Sequence, residues 1–233
     1  MLMQEYLRDN ETSPFGDWFA SLDPQAAAIV AVAVARLGEG NNSNVKPIGE
    51  GVAEIRINRG PGFRVYFGWD GKFLMILLGD GTKRRQQDDI VDALAHWRDY
   101  KRRKAQLEKL AKVRLADINR HKVDKMALTR SFKDTVQTRI RHDSAFRDAL
   151  FQEAVQAFLE GDAATGRAVL RDFINGTTGF EALSAMTNTP AKSLMRMFGP
   201  KGNSTAEHLF GVIHALQRTT GVHLHVLARP DAA

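Results

Sequence analysis

Between Val52 and Leu78 the sequence leaves few folds open. Three strand-like runs, Val52 to Ile57, Phe63 to Gly68 and Lys72 to Leu78, are separated only by the glycine-rich turns Arg59 to Gly62 and Trp69 to Gly71. A parallel crossover takes about a dozen residues or more, so connections this short predict an antiparallel meander. Ahead of it, Ser13-Pro14 reads as a helix start, with Phe15, Trp18, Phe19 and Leu22 at helical spacing. Pro24 then opens an Ala/Val-rich helix that ends at Gly38, and a Gly/Asn loop runs from Gly38 to Asn44. After the meander a third helix begins near Asp88 with Ile90, Val91, Leu94 and Trp97 on one face, and it runs into Lys101 to Lys104, a charge run that reads as solvated. Helix, helix, strands, helix is the order of an α+β domain.

The chain is too long to stop there. At 233 residues and 43% hydrophobic it has the material for two cores of ~100 residues each. Residues 105 to 125 are polar and mixed in sign, with Glu108 and Lys112 four apart, and read as a partly helical linker. Beyond Met126 the pattern is helical, with starts at Asp143, Asp162, Thr189 and Ser204. Ser204 to Glu207 forms a capping box ahead of Leu209, Phe210, Ile213 and Leu216 at core spacing. A closing strand, Val222 to Leu227, alternates with His223 and His225. The expected architecture is an α+β domain over residues 1–104 (two N-terminal helices, an antiparallel sheet and a C-terminal helix), a linker over 105–125, and an all-α helix-turn-helix domain with a short closing strand over 126–233.

Composition narrows the chemistry. The absence of cysteine removes disulfides, thiolate metal sites and thiol catalysis, and fits a reducing compartment such as the cytoplasm. The longest apolar stretch, Ala26 to Ala35, is too short for a membrane span, which takes ~20 residues, and the first residues lack the basic start of a signal peptide. No membrane role is expected. Gly60-Pro61-Gly62 joins two strands and so is no nucleotide loop, while His223 and His225 lack a third metal ligand. No metal or cofactor is expected. The formal charge of +6 makes nucleic acid a reasonable partner.

The stretch Phe180 to Gly199 has the layout of a helix-turn-helix. Phe180, Ala182, Leu183 and Met186 make a short helix, Thr187-Asn188 turns, and Thr189-Pro190 is read as an N-cap with proline in the first turn of a second helix. In that helix Ala191, Leu194, Met195 and Phe198 share a face, leaving Lys192, Ser193 and Arg196 to point outward as residue types that contact bases and phosphates. Lys201 follows in a basic turn. With Thr189 these are the DNA-binding candidates. An ordinary helical pair with a solvated basic face satisfies the same spacing. Segments of this half, including Met126-Ala127-Leu128-Thr129, Leu170-Arg171-Asp172, Gly179 to Leu183, Lys192 to Met197 and Gly199 to Asn203, resemble the HigA-like addiction-module antidote proteins. The resemblance covers nearly all of Met126 to Leu227. It implies a dimeric domain that neutralises a toxin and represses its own operon by binding operator DNA.

The front half carries its own resemblance. Pro14-Phe15, Trp18, Glu54 to Ile57, Gly60 to Phe67, Leu77-Leu78, Gly81 to Lys83 and Gln86 resemble RelE/ParE-superfamily toxins of the phage Gp49-like, HigB-related branch, over roughly residues 4–103. Asp80 stands where such toxins commonly have a glycine, which adds negative charge beside the expected site. The resemblance implies cleavage of mRNA on the ribosome by attack of a 2′-hydroxyl on the adjacent phosphate. That reaction requires a base, cations for the developing charge and an acid. Arg56, Arg64, Tyr66 and Lys83 are the catalytic candidates, and Arg84, Arg85 and Gln86 the RNA-binding ones. Arg64 suits a phosphate because its fork binds two oxygens at once, and Tyr66 shares its strand face. A solvated sheet face accounts for both arginines equally well, and core packing for Tyr66. The whole chain therefore reads as a fused toxin and antitoxin, with contact between its halves inside one chain or between chains. Two alternatives stand beside it: a transcriptional regulator whose front half has lost its chemistry, and a toxin directed at gyrase.

Overall fold

The computed structural model describes residues 1–60, 62–72, 74–82, 86–116 and 127–226. The chain divides into two compact units, Met1–Val136 and Gln137–Ala233. In order the first contains β1 (Leu2–Tyr6), α1 (Pro14–Ser21), α2 (Pro24–Gly38), β2 (Val45–Gly49), β3 (Val52–Ile57), β4 (Phe63–Asp70), β5 (Leu74–Thr82), α3 (Gln86–Ala116) and β6 (Thr129–Ser131). Helix α4 (Phe132–His142) begins in it and continues past its last residue.

The two front helices start where their caps place them. Ser13 Oγ accepts the Gly16 N–H at 2.9 Å and Asp23 accepts the Ala26 N–H at 2.9 Å, each followed by a proline in the first turn. The sheet differs from expectation. Its order is β2-β3-β4-β5-β1-β6, and β1 pairs with β5 in parallel while every other pairing is antiparallel. The expected fold, two helices ahead of an antiparallel sheet with an all-α second part, is thereby overturned. The architecture is mixed α/β, with a strand ahead of the helices and a strand drawn from beyond residue 126. Leu2-Met3-Gln4-Glu5-Tyr6 has no β-branched residue, and what makes it a strand is a neighbour on each side. Strand β2 contains Pro47, which a sheet tolerates at its edge, and β2 is an edge. No closing strand forms over 222–226. The Leu224 N–H donates to the Gln217 side chain at 2.7 Å, and alternation without a neighbouring strand leaves Val226 exposed.

Strand alternation divides the sheet into two faces. Tyr6, Val52, Tyr66, Ile76 and Leu78 pack with Ala93, Trp97 and Tyr100 of α3. Gly68 carries the Trp97 indole so closely that a Cβ there would lie 2.7 Å from the ring. The other face holds Phe63, edge-on to Trp18 of α1 at 5.9 Å. The Lys101 to Lys104 run is only partly solvated. Arg103 is 4% exposed, donates to the Leu7 carbonyl at 2.6 Å and pairs with Asp9 and Asp99. Lys104 reaches Asp70 at 2.6 Å.

The second unit adds α5 (Ser144–Leu159), α6 (Ala163–Gly176), α7 (Phe180–Thr187), α8 (Ala191–Met197) and α9 (Ala206–Thr220). Asp143 and Asp162 cap α5 and α6 as their positions predict. Phe151 stacks on Phe173 at 5.0 Å between those helices. Two expected caps move by one residue. Pro190, not Thr189, is the N-cap of α8, and the Thr189 hydroxyl instead donates to the Thr187 carbonyl at 3.1 Å. Thr205, not Ser204, caps α9; its buried residues are Val212, Ile213, Ala215 and Leu216, and Phe210, expected in the core with Ile213 and Leu216, is 62% exposed. Among the described residues no helix is long and apolar enough to cross a membrane.

Candidate functional site

On the α3 face of the sheet, beyond the N-terminal end of that helix, the antiparallel register sets Arg56 of β3 opposite Arg64 of β4, and Glu54 opposite Tyr66. Like charges directly opposite repel. Glu54 offsets this: its fully buried carboxylate accepts the Arg56 Nε–H at 2.7 Å, and its other oxygen lies 3.4 Å from Arg64 Nε. The longer contact is an ion pair without a hydrogen bond, so neither Arg64 Nε nor that Glu54 oxygen has a hydrogen-bond partner among the described residues. Arg56 stays well exposed and Arg64 slightly so. The two guanidinium groups share the Glu54 carboxylate, and a second carboxylate, Asp89, stands over Gly81, the residue opposite Arg64 in the register.

Tyr66 is wholly buried, so the sheet offers no room for a base to stack on its ring. Its hydroxyl lies over Gly81, where a Cβ would fall 2.9 Å from it and 2.8 Å from Asp89 Oδ2. The hydroxyl has no hydrogen-bond partner among the described residues. Burial, reinforced by the nearby charges of Glu54 and Asp89, pushes its pKa to about 12 and keeps it protonated. Asp80 sits opposite Val65 in the register, on the reverse face from the arginines, although its charge also contributes to the rise at Tyr66. Gln86, half-buried, is the first residue of α3. Lys83, Arg84 and Arg85 lie outside the described residues.

The DNA-binding candidates gather on α8 and its flanks. Asn188, with φ of 49°, makes the left-handed turn from α7. Leu194 and Phe198 are buried, while Lys192, Arg196 and Lys201 are exposed and Thr189 and Ser193 half-buried. Met195, expected on the buried face, is 40% exposed, because a helix of seven residues presents only a narrow stripe to its neighbours. Arg171 of α6 donates to the Met195 carbonyl at 3.4 Å and so adds a further cation near the end of α8.

Glu54 and Arg171 are contributors that sequence reasoning did not single out. Glu54 was legible in principle, since Glu54 and Arg56 are two apart on one strand face. Arg171 was not, because the contact joins α6 to α8 and no local spacing encodes it. No family model matches the chain, and no solved structure does. An uncharacterised protein of Haemophilus influenzae is similar to it, 36% identical over 83 residues that make up 35% of this chain and 84% of that protein.

Proposed function

This chain belongs to one family with the uncharacterised Haemophilus influenzae protein, and from that premise, which brings no activity with it, we propose that the chain is a toxin and its antitoxin in one polypeptide. The first unit cleaves mRNA on the ribosome, and the second restrains it and binds operator DNA as a dimer. One observation carries the reading: the opposed pair Arg56 and Arg64, held by the buried Glu54. The motif resemblance supplies the reaction.

A phosphodiester is an anion, and two guanidinium groups side by side offer it paired donors. Arg64 is pre-oriented by Glu54, and its remaining N–H groups stabilise the charge that builds on the phosphate as the 2′-hydroxyl attacks. Arg56, more exposed, binds the adjoining backbone. Tyr66 supports both arginines from within the core. Proton transfer falls to Lys83, with Arg84, Arg85 and Gln86 along the RNA. On the second unit, Lys192, Ser193 and Arg196 contact base edges and phosphates in the major groove, with Thr189 and Lys201 beside them on the flanking backbone.

The test is expression of residues 1–136, the whole first unit, beside the intact chain. The unit should arrest growth and cut mRNA in a translating extract, the intact chain should do neither, and Arg64→Ala should abolish both effects. Soluble unit that leaves mRNA whole and growth normal would sink the proposal. Loss of supercoiling activity from added gyrase, with mRNA intact, would move the target to gyrase.

A further inference from the structure

The outermost strand of the first unit comes from far along the chain. Strand β6 pairs with β1 in the register Gln4–Ser131, Glu5–Arg130 and Tyr6–Thr129, and the Leu7 N–H extends the ladder to the Leu128 carbonyl at 2.9 Å. The side chains match as closely as the backbone. Glu5 has no exposure at all, and its carboxylate receives Arg130 Nη2 at 2.7 Å and the Thr135 hydroxyl. The Thr129 hydroxyl donates to Gln4. Phe132 stands edge-on to both Phe15 and Phe19 of α1 at 5.3 Å. Gly16 makes room: a Cβ there would lie 2.4 Å from the Arg130 guanidinium and 2.5 Å from the Glu5 carboxylate.

A backbone ladder, a buried carboxylate met by a cation at its solvent edge and an aromatic anchor are together what a peptide-recognition site offers its ligand. We propose that the β1 edge, with Glu5, Gly16, Phe15 and Phe19, is a strand-addition site whose ligand is residues 128–136 of the same chain. The segment binds by its own complementarity, so covalent continuity through residues 117–126 is not what holds it. Glu5 explains the selectivity. A bare β1 edge would accept any extended strand, but a buried carboxylate rejects every strand that does not bring a cation and a hydroxyl to it. Helix α4 runs on from this segment to His142, so a cut between the two halves would leave the ligand attached to the second unit. The inference rests on packing alone and is independent of any activity toward RNA.

The experiment uses the full chain with a protease recognition sequence inserted within residues 117–126. After complete cleavage the two pieces should elute together, with the same mass by light scattering as the uncut chain. The Arg130→Ala/Thr135→Val variant should lose that association, with a dissociation constant about thirtyfold higher or more, whereas Asp134→Ala, altering an exposed residue beside the contact, should keep it. If the double variant fails to fold before cleavage, Phe132→Ala reads the same contact through its aromatic anchor and should weaken it likewise. Wild-type pieces that separate on cleavage, or variant pieces that hold as tightly as wild type, overturn the proposal.

Discussion

Arg56 and Arg64 face each other across β3 and β4, 41% and 13% exposed at their side chains, and the repulsion between them is offset by one buried carboxylate, Glu54. Removing that carboxylate leaves two cations beside an apolar sheet. Glu54→Ala should destabilise the first unit by about 1–3 kcal/mol, the range for hydrogen bonds to charged groups, since Arg56 keeps 41% of its side chain in solvent. Urea denaturation of the full chain checks this. A loss below about 1 kcal/mol would mean that water, not Glu54, screens the arginines.

Tyr66 buries a hydroxyl that has no partner among the described residues. Tyr66→Phe removes the oxygen and keeps the ring, so stability should hold or rise by up to about 1 kcal/mol. RNA cleavage by residues 1–136 should be unchanged, since the ring only supports the arginines. A hundredfold fall in the cleavage rate, with folding intact, would restore the phenol as a proton donor.

Gly68 lies beneath Trp97 with no space for a methyl group. The indole is also fixed by its Nε1–H donating to the Glu50 carbonyl at 3.0 Å, so it cannot slide aside freely. Gly68→Ala should cost about 1–3 kcal/mol by overpacking and perturb the Trp97 fluorescence. A thermal midpoint equal to wild type would show that α3 can lift from the sheet at little cost.

Asp70 links the sheet to α3. Burial alone would raise its pKa, but hydrogen bonds from Lys104 and Tyr100 outweigh burial and hold it below its ordinary 3.8. A folded-state pKa lower than the unfolded one contributes stability that is complete above about pH 4 and drains as pH falls through the folded value. Asp70→Asn should therefore be less stable than wild type at pH 7 and converge on it in acid. Parallel pH curves for the two proteins would remove the assignment.

Lys192 and Arg196 stand exposed on α8. With each phosphate contact contributing a slope of roughly −0.9 to log affinity against log salt, the Lys192→Ala/Arg196→Ala pair should flatten the slope by about 1.8 per subunit on duplex DNA from upstream of the gene. Fluorescence anisotropy at several salt concentrations measures it. An unaltered slope would take α8 off the DNA.

Much of the front sheet was legible because its signals are local. Val52 to Ile57 forms a strand over those six residues, and Ser13 and Asp23 cap their helices as short-range hydrogen bonding requires. Arg56 and Arg64 were legible as neighbours for the same reason: a hairpin register follows from the runs on either side of its turn. The reading of residues 101–104 failed where Arg103 meets Leu7, since a contact between residues 96 positions apart leaves no periodic trace. Tyr66 stands between these cases. Strand alternation put it on the face of Arg64, but only packing against Gly81 and Asp89 decided that its hydroxyl would be enclosed.

What the sequence determined by itself was whatever a helix turn or a hairpin can enforce: the starts of α1, α2, α5 and α6, the strands Val52 to Asp70, and a basic stripe on α8. Tertiary structure alone decided that Leu2 to Tyr6 is a strand, that it runs parallel to β5, and that Thr129 to Ser131 closes its open edge. The physical reason is that a strand has no internal hydrogen bonds. Its ladder partners lie elsewhere in the chain, and five unremarkable residues become part of a sheet only when two distant segments arrive to pair with them.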